Sequence, residues 1–184
     1  MEHMNVTSGS GNDRLEGVRN SSDVLNGGAG NDVWSDSFSN RTTGLSIDMA
    51  QVSSSGGQSY ADGTTVRNIE TGELTLSLGD DTFRDHGDYD DHIVALGGDD
   101  DIGSSQGRDY ADGGAGSDTM TIDWSTATDD AYLYNSSSSH GYVNTGTAFS
   151  DSARRVDFWS MEHMNVTSGS GNDRLEGVRN SWDV

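Results

Sequence analysis

Apolar residues seldom run together in this chain. They recur singly, one in every nine or ten positions. Phe83, Ile93, Ile102, Ala111 and Met120 form one such row, and Leu15, Leu25 and Trp34 form another. An aspartate stands two residues before each: Asp81, Asp91, Asp100, Asp109 and Asp118, and earlier Asp13, Asp23 and Asp32. No stretch of useful length shows the three-and-four spacing of an amphipathic helix. The pattern predicts very short strands, each sending one apolar side chain inward. "GLSIDM" (44–49), "ELTLSL" (73–78) and "TMTIDW" (119–124) alternate apolar with polar residues and predict half-buried strands. "AYLYN" and "HGYVN" predict short aromatic strands around "SSSS".

A second periodicity is far longer. "MEHMNVTSGSGNDRLEGVRNS" occupies both 1–21 and 161–181, and the match runs on through Val24 and Val184 with only Ser22 against Trp182 differing. A chain drawn from a tandem array with a period of 160 residues has this form. The stretch "NIETGELTLSLGDDTF" (68–83) also aligns without gaps to "SMEHMNVTSGSGNDRL" (160–175), so the long unit contains two diverged halves.

Between the apolar residues lie glycine-rich turns. "GGAGND" (27–32) and "GGAGSD" (113–118) are the most regular, and "SGSGND" (8–13), "ALGGDD" (95–100) and "SSQGRD" (104–109) are partial versions. These blocks resemble the nonapeptide repeats of RTX proteins, the hemolysin-type calcium-binding family. The resemblance implies an all-β fold, a right-handed parallel β-roll or β-solenoid, here with irregular β-strand insertions. In it six residues turn, three form a strand, and about 18 residues complete a coil. Turn aspartates one coil apart would then bracket Ca²⁺. Asp13 with Asp32, Asp81 with Asp100, Asp91 with Asp109, and Asp100 with Asp118 make about four complete sites. Asp23, Asp173 and Asp183 occupy the same turn position and are further candidate metal ligands. The expected organisation is RTX turns at 1–35, an irregular β segment at 36–75, RTX turns at 76–121, a second irregular segment at 122–167, and from 168 to 184 the start of the next copy.

Composition sharpens the picture. The net charge is −21, with 10 arginines and no lysine against 31 acids, and Asp greatly outnumbers Glu. A compact chain so acidic repels itself unless counter-cations are built into the fold. The charge argues against nucleic acid and anionic membranes as partners. No stretch is apolar enough to span a bilayer, and with 0 Cys no disulfide forms. Four calcium ions would leave about −13 by formal addition. Without calcium the chain is expected to be disordered, because a one-residue apolar strand buries too little to oppose carboxylate repulsion.

The five histidines have no cysteine nearby and read as turn or edge residues. No serine sits in a nucleophile elbow, and the regular carboxylate spacing already has a metal-binding explanation. We therefore expect no enzyme activity. The positions flanking the apolar row (Arg14, Glu16, Thr82, Arg84, Asp101, Gly103) form no flat Thr/Asn face. The leading reading is a structural repeat module of a secreted bacterial array protein at the cell surface: an adhesin, surface-layer protein or filament. Its partners would be calcium ions and neighbouring copies placed head to tail, with Trp182 in the contact or folded over the open end. The alternative is a folding or carbohydrate-binding module, appended to a secreted enzyme, that meets a cell-surface glycan. On the family resemblance, export is by a type I system, followed by folding in extracellular calcium.

Overall fold

A computed structural model describes residues 3–17, 22–137, 140–145 and 154–176. Strands form at β1 (Asn5–Thr7), β2 (Arg14–Glu16), β3 (Val24–Asn26), β4 (Val33–Ser37), β5 (Ser46–Asp48), β6 (Gln58–Ser59), β7 (Thr65–Arg67), β8 (Thr71–Thr75) and β9 (Thr82–Arg84). They continue with β10 (His92–Val94), β11 (Asp101–Ser104), β12 (Arg108–Asp112), β13 (Thr119–Asp123), β14 (Ala131–Ser137), β15 (His140–Thr145), β16 (Arg155–Trp159), β17 (His163–Thr167) and β18 (Arg174–Leu175). One helical turn, α1 (Met49–Val52), follows β5. The protein is nearly all β, as a chain of roll repeats should be.

From β8 to β13 the chain passes back and forth between two ladders. β8, β10 and β12 pair in parallel, and so do β9, β11 and β13. β2 and β4 extend the first ladder at one end and β16 at the other. β5 and β17 extend the second. A third ladder joins β1, β3 and β7 in parallel, with β6 antiparallel on β7. The register carries the nine-residue pattern directly. Phe83 pairs with Ile102 and Ile102 with Met120; Ile93 pairs with Ala111, and Leu15 with Trp34. Each apolar residue thus stacks on its counterpart in the neighbouring parallel strand, and both sequence rows are buried. Full burial of such a side chain contributes about 1.5–3 kcal/mol. Bulk is shared between coils, since the Trp34 indole faces Gly72 and Phe158 faces Ala111.

The irregular segments feed the same ladders. β5, β7 and β8 come from 36–75, and β16 and β17 from 122–167. The aromatic stretches form the antiparallel hairpin β14–β15, inserted between β16 and β18 in the nine-stranded sheet. Helix α1 is too short to show any periodicity. Asp48 caps it by accepting the Ala50 amide, and Met49 and Val52 are buried. It touches β5, β7 and β9. No described helix is long and apolar enough to cross a membrane.

Candidate metal centres

Two turn positions stitch neighbouring coils together, in opposite senses. The amide of the turn aspartate donates forward to the carboxylate of its counterpart later in the chain. Asp81 donates to Asp100 Oδ1 (2.7 Å), Asp100 to Asp118 Oδ1 (2.9 Å), Asp91 to Asp109 Oδ1 (3.0 Å) and Asp13 to Asp32 Oδ1 (2.9 Å). The preceding turn residue works the other way. The Asp99 amide donates to Asp80 Oδ1 (3.0 Å), Ser117 to Asp99 Oδ1 (2.9 Å) and Asn31 to Asn12 Oδ1 (3.0 Å). All four pairs expected from the sequence are therefore brought together. Asp23 accepts the Met4 amide (3.0 Å) and Asp173 the Ala131 amide (2.9 Å) in the same manner. Asp183 and Trp182 lie outside the described residues.

The ladders are longer than the aspartates alone. Asp32 donates to Glu70 Oε2 (2.9 Å), and Asp118 donates to Glu162 Oε2 (2.8 Å). Neither glutamate was expected from the turn pattern. Each immediately precedes a ladder strand, β8 or β17, as the turn aspartates other than Asp109 precede theirs. The signal was present in the gapless alignment of the two half-units, which places Glu70 on Glu162.

Asp81 and Asp109 accept on both carboxylate oxygens, from Ser77 and Ser104 respectively on Oδ2, but four of the aspartates use only one. Oδ2 of Asp32, Asp91, Asp100 and Asp118 is buried without a hydrogen-bond partner. Such an atom is costly to bury, all the more so on an ionised group. Among the described residues no arginine pairs with these aspartates: Arg84 pairs with Asp101, Arg155 with Asp157 and Arg14 with Glu73. The carboxyls respond to their surroundings. Burial, reinforced by neighbouring carboxylates, raises the pKa of Asp100 to about 7 and that of Asp109 to about 8. Asp91 lies well above the usual carboxylate range for the same reason, with Asp85 its first charged neighbour, and Asp81 and Asp118 are raised too.

The glycines make room for this packing. Gly28 (φ +96°) and Gly114 (φ +93°) adopt the left-handed backbone that side chains avoid. A Cβ on Gly28 would stand 2.3 Å from the Gly9 carbonyl oxygen of the adjacent turn, and one on Gly114 2.3 Å from that of Leu96. A Cβ on Gly113 would lie 2.5 Å from the orphaned Asp118 Oδ2. Turn carbonyls and carboxylates thus converge in a shell of oxygen atoms. Three histidine rings have other partners: His92 stacks on Tyr110 and His140 on Trp159, while His163 meets the Ser117 hydroxyl. Orphaned, buried, all-oxygen donors suit a hard cation such as Ca²⁺ and do not suit zinc.

A family profile for the RTX calcium-binding nonapeptide repeat matches in four copies, over residues 7–33 and 87–120. The chain carries RTX calcium-binding repeats. The RTX segments include Asp13, Asp23, Asp32, Asp91, Asp100, Asp109 and Asp118. Asp81 and Asp173 lie outside the matched RTX residues but accept amide hydrogen bonds in the same way. Among curated proteins none matches the chain.

Proposed function

We propose that this RTX chain is a right-handed parallel β-roll that folds by binding about four calcium ions, between Asp13 and Asp32, Asp81 and Asp100, Asp91 and Asp109, and Asp100 and Asp118. The buried, partnerless second oxygen of Asp32, Asp91, Asp100 and Asp118 carries this reading. Bound calcium would supply the counter-charge that these oxygens lack. Asp23, Asp173 and Asp183 belong to the same turn position and would complete sites with further coils. RTX turns at 1–35, 76–121 and 168–184 would alternate with β segments at 36–75 and 122–167.

The task of such a unit is structural, as one block of a secreted, extracellular array. The two outer strands of the nine-stranded sheet support this. Among the described residues these are β2 and β18, and both come from the repeated sequence. Leu15 on β2 is buried against Trp34, whereas its copy Leu175 on β18 is 43% exposed. A neighbouring copy packed against β18 would cover Leu175, giving a head-to-tail contact. Small-angle scattering tests the folding claim. With excess EDTA at pH 8 the radius of gyration should be roughly 45 Å, and in millimolar calcium it should fall to roughly 16–20 Å. A compact particle in both conditions overturns it.

A second reading rests on the outer face of the same sheet. Tyr110, Asp157, Tyr142 and Tyr134 are register neighbours across four strands. Tyr134 stacks on Tyr142 (5.2 Å), and Arg155 lies over Tyr142 (4.8 Å). Trp159 is 40% and Tyr134 49% exposed. Rings presented on a sheet face can stack on sugars, as a carbohydrate-binding module requires. Calcium-dependent glycan binding that is lost in Tyr134→Ala and Trp159→Ala would favour this reading.

A further inference from the structure

Two small cavities lie between the core row and the turns, and they are related by the repeat. One is lined by Asp23, Asp36, Asp62 and Arg41, under Trp34. The other is lined by Asp85, Asp91, Asp109 and Ser104, beside Ile93. The correspondence follows from register. Leu15 pairs with Trp34 as Phe83 pairs with Ile102, so Gly17 and Asp36 occupy the positions of Asp85 and Ser104. Each cavity thus gathers three carboxylates, but their neutralisation differs. In the first, Arg41 reaches in and pairs with Asp62. In the second, no lining residue is basic.

The donors around the second cavity can be counted. The Ser105 amide and hydroxyl both donate to Asp85 Oδ2 (2.7 Å each). Gly72 donates to Asp91 Oδ1 (2.6 Å), and Ser104 donates its hydroxyl to Asp109 Oδ2. Asp85 Oδ1 and Asp91 Oδ2 are left buried with no donor. Asp91 is 3% exposed, and one oxygen from each of the three carboxylates lies within 4.8 Å of the other two. Asp91 and Asp109 are buried and Asp85 is half-buried, so three like charges this close repel one another unless a cation joins them. Where a glycine is usual in this repeat, Asp85 brings a third carboxylate.

We propose that Asp85, Asp91 and Asp109 together hold one calcium ion, which does for this cavity what the Arg41 guanidinium does for the other. This deepens the calcium reading of Asp91 and Asp109 and rests on it. Asp85 becomes a ligand, and this centre becomes the most acidic of the set, binding calcium before the two-carboxylate sites fill.

The test counts bound calcium per chain by equilibrium dialysis and elemental mass spectrometry. It compares the full chain with Asp85→Asn and with Asp85→Ser, the residue found at the equivalent position 104. Circular dichroism in saturating calcium first checks that each variant is folded. The expected result is that one calcium is lost, or binds at least tenfold more weakly, while the others are unchanged. Unchanged stoichiometry and affinity in both variants overturns the centre and leaves the calcium-driven fold standing. A wild-type chain that takes up no calcium overturns both. Should neither variant fold, anomalous scattering from a wild-type crystal grown in calcium decides. A calcium peak in contact with all three carboxylates supports the centre, and an absent peak refutes it.

Discussion

Asp100→Asn should change sign with calcium. Asp100 is an inner member of the longest carboxylate ladder among the described residues: its Oδ1 accepts the Asp81 amide, and its own amide donates to Asp118. It is 1% exposed, and its Oδ2 has no donor. Asparagine keeps the shape and the Oδ1 acceptor, so the Asp81 amide stays satisfied and the direct structural loss is small. What disappears is a charge. In calcium that charge serves two proposed sites. A bound ion stabilises by about 2.7 kcal/mol when its free concentration is a hundred times Kd. Losing two sites therefore costs about 5 kcal/mol, and losing one costs about half of that. Asp13→Asn touches one pair and sets the single-site comparison. In EDTA the same charge only repels Asp81 and Asp118, so Asp100→Asn should fold at a higher pH than the wild type. Urea titrations in calcium, followed by tryptophan fluorescence because Trp34 and Trp124 are buried, give the first quantity. Acid titrations in EDTA, followed by circular dichroism, give the second. Equal losses for Asp13→Asn and Asp100→Asn in calcium, or destabilisation by Asp100→Asn in EDTA, would refute the reasoning.

Without calcium, acid should fold the chain. Asp100 and Asp109 rise from an ordinary 3.8 to about 7 and about 8, so their protonation favours the folded state. That contribution is full below about pH 4 and is lost as pH rises through 7 and 8, and circular dichroism in EDTA from pH 4 to 9 should follow it. Calcium affinity should run the other way, weakening as the carboxylates protonate, which calorimetry at pH 5 and pH 8 checks. Gly114→Ala should destabilise the calcium form by at least about 2 kcal/mol, through its left-handed backbone and the nearby Leu96 carbonyl. Gly9→Ala, with nothing within 4 Å of the added methyl, should cost far less in the same urea titration. Leu15→Ala should cost about 2–5 kcal/mol and Leu175→Ala under about 1 kcal/mol in the isolated chain. In a chain of two fused units the inner copy of Leu175 should become as costly as Leu15.

Much of this fold is legible because each nonapeptide carries one short turn and one short strand, so a single apolar residue and a single aspartate repeat in phase. The pairs Phe83–Ile102 and Asp100–Asp118 follow from counting residues. Counting fails where a coil is stretched. Trp34 meets Gly72 across a loop, α1 and β6–β7, and no period survives such an insertion. Glu70 and Glu162 end their ladders from turns without the glycine signature, and the half-unit alignment alone marks them. Asp85 is hidden for another reason. Its position in the nonapeptide is ordinarily glycine, so only three-dimensional proximity to Asp91 and Asp109 gives it meaning.

The central claim, that calcium drives this chain into its fold, is tested most directly by far-ultraviolet circular dichroism during calcium titration at pH 8. The account predicts a coil spectrum in EDTA, a cooperative change to β structure as calcium is added, reversal on chelation, and little effect of magnesium at the same concentration. Magnesium demands tight octahedral geometry and gives up its water reluctantly. An unchanged β spectrum in excess EDTA, or equal folding by magnesium, would contradict it.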